Sequence, residues 1–420
     1  VLEPLFFFFF NKRRPNNECK WGKIPYLNGG LFEKDYDFLL YLPNELFDPN
    51  SDGGVLGFFH NYNFTVAEDT PAEQEVAVDP EMLGKVFENM MEERERGKSG
   101  TFYTPRPIVH YMCREALLGF LSERSGLPRG LLAAQFEDAP AEPLTLSDAH
   151  LIETALDSVR VLDPAVGTGA FLVGILHELV SLRLACEQAK GASVPRSSAK
   201  AAEWKRGFIS NALYGVDIKS EAIEIAKLRL WLSLVVDLEL RYVEPLPNLD
   251  YKLRVGNSLL ETVEGEPILV GDETSAAGAG SKSSSRFSGK GGQYGLGMDS
   301  NVDVRANLVT LKQKFFDSQT PEERAEYRAQ IETRERAMML KALDEKIANL
   351  DIRIKKITEK GSLVNWRGMA REQKDLETLA GRKARIAERR AEVTAGKPLP
   401  FFLHRLHFFE VFRDNGGFDI

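Results

Sequence analysis

The sequence predicts an α/β protein built on a parallel sheet, with a helical segment before the sheet and a long helical insertion within it. Three observations carry this reading. Between residues 98 and 260, short apolar runs that read as strands alternate with runs at helical spacing. Such βαβ alternation requires parallel strands with helices on both faces. A Gly-rich turn, Asp163 to Phe171, joins the first of these strands to the helix after it. From about residue 301 to 396, Ala, Glu, Lys, Arg and Leu dominate with apolar residues at heptad spacing, a composition that calls for long helices.

The chain has 420 residues, 43% hydrophobic and 28% charged, which is enough for two or three domains with a sizeable core. No run of about 20 apolar residues occurs, so no helical membrane span is expected. The run Phe6 to Phe10 is too short, and Lys12, Arg13, Arg14 and Pro15 follow it in place of a cleavage pattern, so it is no signal peptide. Cys19, Cys113 and Cys186 stand far apart without a C-x-x-C pair. Buried reduced thiols in a cytoplasmic protein, without a metal site, are the expectation. A net charge of -8 does not advertise a nucleic-acid binder, although a local basic face is compatible with it. A start at Val1 and an end inside a strand-like pattern suggest a fragment.

Taken in order, residues 1–97 read as a helical connector domain. Within it, Asp79-Pro80 opens a helix through Leu83, Val86, Phe87 and Met90 that Gly97 can end. Asn28-Gly29-Gly30 marks a turn in the stretch Ile24 to Glu33. Residues 98–264 form the α/β core. Thr104 or Pro105 starts a helix there, and Val159 to Leu162, Ala212 to Ile218 and Leu253 to Val255 are the strands. A helix through Phe171 to Leu182 and one capped by Ser220 lie between them, with a helical insertion from about Gln188 to Ser210. Residues 265–300 read as a flexible Gly/Ser-rich linker. Residues 301–397 read as a coiled-coil-like hairpin turning near Gly361 to Gly368, and residues 398–420 as a return to the core.

Four motifs carry chemistry. In Asp163 to Phe171, Gly167 and Gly169 permit a tight turn and close backbone approach to a ligand at a helix N-terminus. The spacing is not the G-x-G-x-x-G of a dinucleotide site, and a carboxylate at Asp163, before Pro164 and Ala165, suits a ligand with an ammonium group and no phosphate. Asp217, ending the second strand in Tyr214 to Ile218, stands where an acid accepts hydrogen bonds from ribose hydroxyls. Asn257, in Val255 to Glu261, can meet an adenine edge or merely form a turn. Phe102, Tyr103 and Thr104 precede a helix, where the two rings also fit a core or staple role.

In this order GTFYTP (Gly100 to Pro105), DPAVGTGAF (Asp163 to Phe171), YGVDI (Tyr214 to Ile218) and VGNSLLE (Val255 to Glu261) resemble the cofactor half of adenine-specific DNA methyltransferases. The likeness is to large type IIG restriction–modification proteins, whose nuclease and methyltransferase share one chain, and it covers roughly residues 20–120, 155–262 and the final dozen. It implies a class I methyltransferase fold with a Rossmann-like sheet, S-adenosylmethionine as cofactor and double-stranded DNA as partner. It places Phe102, Tyr103 and Thr104 at the methionine end of the cofactor. Asp163, Pro164, Ala165, Gly167 and Gly169 would line the pocket floor, with Asp163 near the ammonium group. Asp217 would hold the ribose hydroxyls, Ile218 would pack on the adenine ring and Asn257 would meet its edge.

The resemblance further implies transfer of a methyl group to the exocyclic amine of a flipped-out adenine. An Asn-Pro-Pro-Tyr/Phe motif holds that amine in the family. No Asn-Pro-Pro occurs in this chain, and the family pattern places it directly after a segment like Gly416 to Ile420. A target-recognition domain after Ile420 and a nuclease domain before Val1 complete that expectation. Three rivals stand beside it. An NAD-dependent Rossmann oxidoreductase fits the turn but not its spacing or GTFYTP. A non-catalytic methyltransferase-like DNA-binding or assembly subunit fits the acidic charge and the missing motif. A methyltransferase acting on RNA or protein would share the same cofactor half.

Overall fold

A computed structural model describes residues 104–137, 142–235, 246–260, 298–360, 366–397 and 402–420, with residues 14, 18–19, 22–23, 26, 43–48, 54–55, 57, 63–65, 75–77, 262–263 and 266–267. The helix read over Asp79 to Gly97, the turn at Asn28-Gly29-Gly30, the Phe6 to Phe10 run, nearly all of the Gly/Ser-rich stretch, and Phe102 and Tyr103 lie outside them. So does the start of the hairpin turn, residues 361–365. Before residue 104 the described regular structure is four strands of two or three residues and a short 3-10 turn at Asn44–Phe47. The chain divides into two compact units, one of Val1–Val255, Gln319–Pro321 and Phe418–Ile420, the other of Gly256–Ser318 and Glu322–Gly417.

In the first unit, α1 spans Arg106–Ser125. Pro105 precedes it and Pro107 sits in its first turn, where no backbone donor is needed. Gly126, at φ 73°, ends it. Val109, Cys113, Leu117, Leu118 and Leu121 form its buried stripe. Helices α2 (Arg129–Ala134) and α3 (Leu146–Ser158) follow. Thr145 and Asp148 close a reciprocal capping box at the head of α3.

Strand β1 (Val161–Asp163) leads through the glycine turn into α4 (Ala170–Ala189). Leu172, Val173, Ile175, Leu176, Leu179, Val180 and Leu182 of α4 are all buried, so this helix has little polar face and is covered on several sides. Each such side chain contributes about 1.5–3 kcal/mol through burial. Gly174 is the contact point with α1, since a Cβ there would meet Val109 Cγ1 at 2.6 Å and Cys113 Sγ at 3.4 Å. Helix α5 (Ala199–Asn211) fills the long interval before β2 (Leu213–Asp217). After α6 (Ser220–Val235) comes β3 (Leu253–Val255). Ser220, expected as the cap of α6, is its first helical residue, and its hydroxyl donates to Glu221 Oε2 at 3.1 Å. The neighbouring Lys219 amide donates instead to Asp217 Oδ1 at 2.9 Å, so Asp217 organises the entry to α6. Cys113 and Cys186 are buried free thiols, and burial pushes the Cys186 thiol up to about 12.

The three strands form a parallel sheet in the order β1-β2-β3, with Val161 opposite Leu213 and Gly215 opposite Leu253. Gly215 is required by crowding, because a Cβ would lie 2.9 Å from both Leu253 Cδ2 and Val166 Cγ2. The free edge of β1 is taken by the last residues of the chain. Ile420 N donates to Arg160 O (3.3 Å) and Leu162 N donates to Ile420 O (2.9 Å), the bracketing pattern of a parallel ladder. Arg160 N also donates to Asp419 Oδ2 at 2.8 Å, and Phe418 packs edge-on against Tyr214 at 5.3 Å. The spatial order is therefore 418–420, β1, β2, β3. The chain runs to one side of β1 and later returns on the other, which makes the carboxyl end of β1 a topological switch point.

The second unit holds α7 (Met298–Asp317), α8 (Pro321–Lys360), α9 (Trp366–Thr394), α10 (His404–His407) and α11 (Phe409–Asn415). Helices α8 and α9 pair as a hairpin, with Asp351 bonded to Lys383 at 2.6 Å and Asp344 held by Arg390. Met339, Leu343, Leu350, Leu379, Ile386 and Val393 interlock along its seam, and Leu403 and Leu406 join the same cluster. Lys312 of α7 is buried. Its ammonium donates to His407 O at 2.5 Å and faces Glu410 at 3.3 Å and Glu335 at 3.5 Å. No helix among the described residues is long and apolar enough to cross a membrane.

Candidate cofactor site

The glycine turn leaves β1 at its carboxyl end and is fastened by three kinds of bond. Val166 N donates to Val216 O (2.9 Å), and Gly169 N to Val166 O (2.8 Å). Gly167 N donates to Asp217 Oδ2 (2.9 Å), so the acid ending β2 grips the turn that follows β1. Gly167 and Gly169 have φ of 51° and 85°, the left-handed region that favours glycine. A Cβ on Gly169 would in addition press on Ala226 of α6, 3.1 Å from its Cβ and 3.2 Å from its Cα.

Asp163 and Asp217 stand at the carboxyl ends of adjacent parallel strands, the edge at which open α/β sheets take ligands. Asp163 Oδ1 accepts from Ala165 N at 3.0 Å. Its Oδ2 is shut off from solvent and has no hydrogen-bond partner among the described residues. That burial raises the carboxyl to about 6, the Ala165 amide working against the rise and the nearby Asp217 charge adding to it. A buried acceptor left unmet is costly, and a donor carried by a ligand would relieve it. Asp217 has each oxygen on one backbone amide, Gly167 N and Lys219 N, and keeps lone-pair capacity for further donors.

Apolar surface flanks Asp217. Ile218 is 63% exposed, and Val255, opposite Asp217 in the ladder, is 51% exposed. Exposed apolar groups beside a carboxylate at a strand end fit a ligand with a flat ring and a polyhydroxyl part. The fold thus brings Asp163, Pro164, Ala165, Gly167, Gly169, Asp217 and Ile218 to one edge of the sheet. Thr104 lies just before α1. Asn257, in the second unit, turns its side-chain carbonyl to its own loop and accepts from Leu259 N at 3.2 Å.

Three residues in or beside the turn and the strand ends have no site role in the sequence reading. Val255 enters it as a strand residue and as the first residue of the VGNSLLE motif. Thr168 and Arg229 were not singled out, although both are buried and Arg229 Nη1 donates to Thr168 O at 2.8 Å and Thr168 Oγ1 at 3.2 Å. The signal available for Arg229 was a charged residue between Leu228 and Leu230 at an inward helical position, three residues after Ala226.

The family described as Eco57I restriction-modification methylase matches residues 211–420. A protein of Methanocaldococcus jannaschii, named as a type II restriction enzyme and methyltransferase, is 32% identical over 292 residues. The aligned part is 63% of this chain and 24% of the relative, so the chain spans about a quarter of that relative's length.

Proposed function

We propose that this chain, which belongs to the Eco57I restriction-modification methylase family, carries the S-adenosylmethionine-binding half of a DNA adenine methyltransferase. The sheet order 418–420, β1, β2, β3, with the glycine turn at its switch point, supports a class I, Rossmann-like methyltransferase core. The observation that carries the reading is the unmet Asp163 Oδ2 beside Asp217 at the carboxyl edge of the sheet. Asp163 would receive the ammonium group of the methionine part. Pro164, Ala165, Gly167 and Gly169 would supply the backbone floor. Asp217 would accept from the ribose hydroxyls with its remaining lone pairs, and Ile218 with Val255 would cover the adenine ring. Asn257 and the segment Phe102, Tyr103 and Thr104 complete the set by family resemblance.

When bound, S-adenosylmethionine supplies an activated methyl group. The described residues bind and orient; the turn is held before any ligand arrives, so little ordering remains to be done on binding. Double-stranded DNA in the cytoplasm as substrate, and the exocyclic amine of adenine as methyl acceptor, belong to the same proposal. So does the division into a connector (1–97), a core (98–264), a linker (265–300), a helical insertion (301–397) and a return to the core (398–420).

The test is a competition at the site. S-adenosylhomocysteine should bind with a simple isotherm that excess NAD does not displace, and Asp163→Asn should weaken it. Binding of NAD in preference would favour an oxidoreductase and overturn the proposal.

A further inference from the structure

We propose that Arg229 is a positioning residue for the cofactor turn, acting through the Thr168–Gly169 peptide. The inference rests on the reading of that turn as a cofactor site. Arg229 is 1% exposed and Thr168 is 6% exposed, so their two hydrogen bonds form away from water. Burying a guanidinium carries a desolvation penalty that a Leu or Met of similar volume would avoid. The two bonds to Thr168 offset part of that penalty, which space filling alone would not do.

Ala226 and Arg229, both buried, are three residues apart on one face of α6. Ala226 sits against Gly169 and Arg229 against Thr168, so one face of one helix fixes two consecutive residues of the turn. The peptide plane between those residues is rigid. Its carbonyl is held by Arg229 Nη1 at 2.8 Å, and its N–H donates to Val166 O at 2.8 Å. Locked at both ends, the plane cannot rotate between the two positive-φ glycines. It therefore keeps the turn, and the amide of Gly167 on Asp217, in one arrangement. Without the arginine the turn would sample others, and ligand affinity would fall in proportion to the competent fraction.

Three variants test this. Arg229→Met fills the space and removes the donors, Arg229→Lys keeps one donating nitrogen, and Thr168→Val removes only the 3.2 Å bond. Amide hydrogen exchange without ligand, and S-adenosylhomocysteine affinity by calorimetry, are the readouts. Arg229→Met should speed exchange at the Gly169 amide by at least about tenfold and weaken binding by about 10–100-fold, with α4 and β1–β3 still protected. Arg229→Lys should recover most of both, and Thr168→Val should lie near wild type but shifted in the same direction. Unchanged exchange and affinity in Arg229→Met would overturn the proposal. So would faster exchange spread evenly over the unit, the mark of a residue that only stabilises the fold. Should Arg229→Met not fold, Thr168→Val decides: exchange at the Gly169 amide faster than in the wild type supports the proposal, and no change there overturns it. Failure of the wild type to bind S-adenosylhomocysteine would refute the cofactor reading, while ligand-free exchange would still settle whether Arg229 holds the turn.

Discussion

The two glycines of the turn differ in what an added methyl group would meet, and that difference can be measured. Gly167 (φ 51°) opens onto empty space, so Gly167→Ala pays only for the left-handed backbone, about 1–2 kcal/mol. Gly169 (φ 85°) carries the same conformational term plus contacts of 3.1 and 3.2 Å with Ala226, one of them to its backbone Cα. A helix held on both sides gives way poorly, and overpacking of this kind costs about 1–3 kcal/mol more. Gly169→Ala should therefore lose about 2–5 kcal/mol, roughly 1–3 beyond Gly167→Ala. Urea unfolding followed by tryptophan emission in a variant that keeps Trp231 alone of the four tryptophans reads the unit, since Trp231 is buried in α6 and donates to Pro247 O at 2.8 Å. Equal losses in the two variants, or a loss below about 0.5 kcal/mol for Gly169→Ala, would refute the crowding argument.

Other consequences follow from the same geometry. Because burial raises Asp163 to about 6 from an ordinary 3.8, the folded state holds this proton more tightly than the unfolded one. Stability should thus fall as pH rises from about 4 to 6 and level off above. Melting temperatures of Asp163→Asn across that window should lose this component of the slope, and an identical slope would contradict the assignment. Cofactor affinity should climb over the same window as the carboxylate form appears, and calorimetry of wild type at pH 5 and 7 checks the direction. In the second unit, Lys312→Met should cost roughly 3–5 kcal/mol, because Glu335 and Glu410 lose a buried counter-charge. Chemical denaturation checks this, and a neutral result would show that the carboxylates are relieved by other means.

The parts of the fold fixed by local signals were readable beforehand. Leu253 to Val255 was read with its exact limits, and the strand before the glycine turn and the start of α1 came within a residue or two. Apolar runs, Gly-rich turns and prolines act over a few residues, so sequence suffices for them. The acids Asp163 and Asp217 were placed by the same logic, because a strand end is a local feature. Long-range contacts were not readable. The grip of Asp217 on Gly167 spans 50 residues, and the Arg229 bond to Thr168 spans 61. Neither leaves a periodic trace. Ser220 shows the limit on a smaller scale: a residue type suited to capping is itself the first helical residue, and an acid three positions earlier accepts from the Lys219 amide at the helix entry.

The central claim is that Asp163 and Asp217, on the glycine turn and the strand beside it, form an S-adenosylmethionine site. The most direct measurement is calorimetric titration of the purified chain with S-adenosylmethionine, beside an Asp217→Ala variant whose folding is checked by circular dichroism. The site predicts binding by the wild type and a loss of at least about a hundredfold in the variant, the order expected when a pair of charge-assisted hydrogen bonds worth about 3 kcal/mol or more is removed. Equal binding by both proteins, or none by a folded wild type, would contradict it.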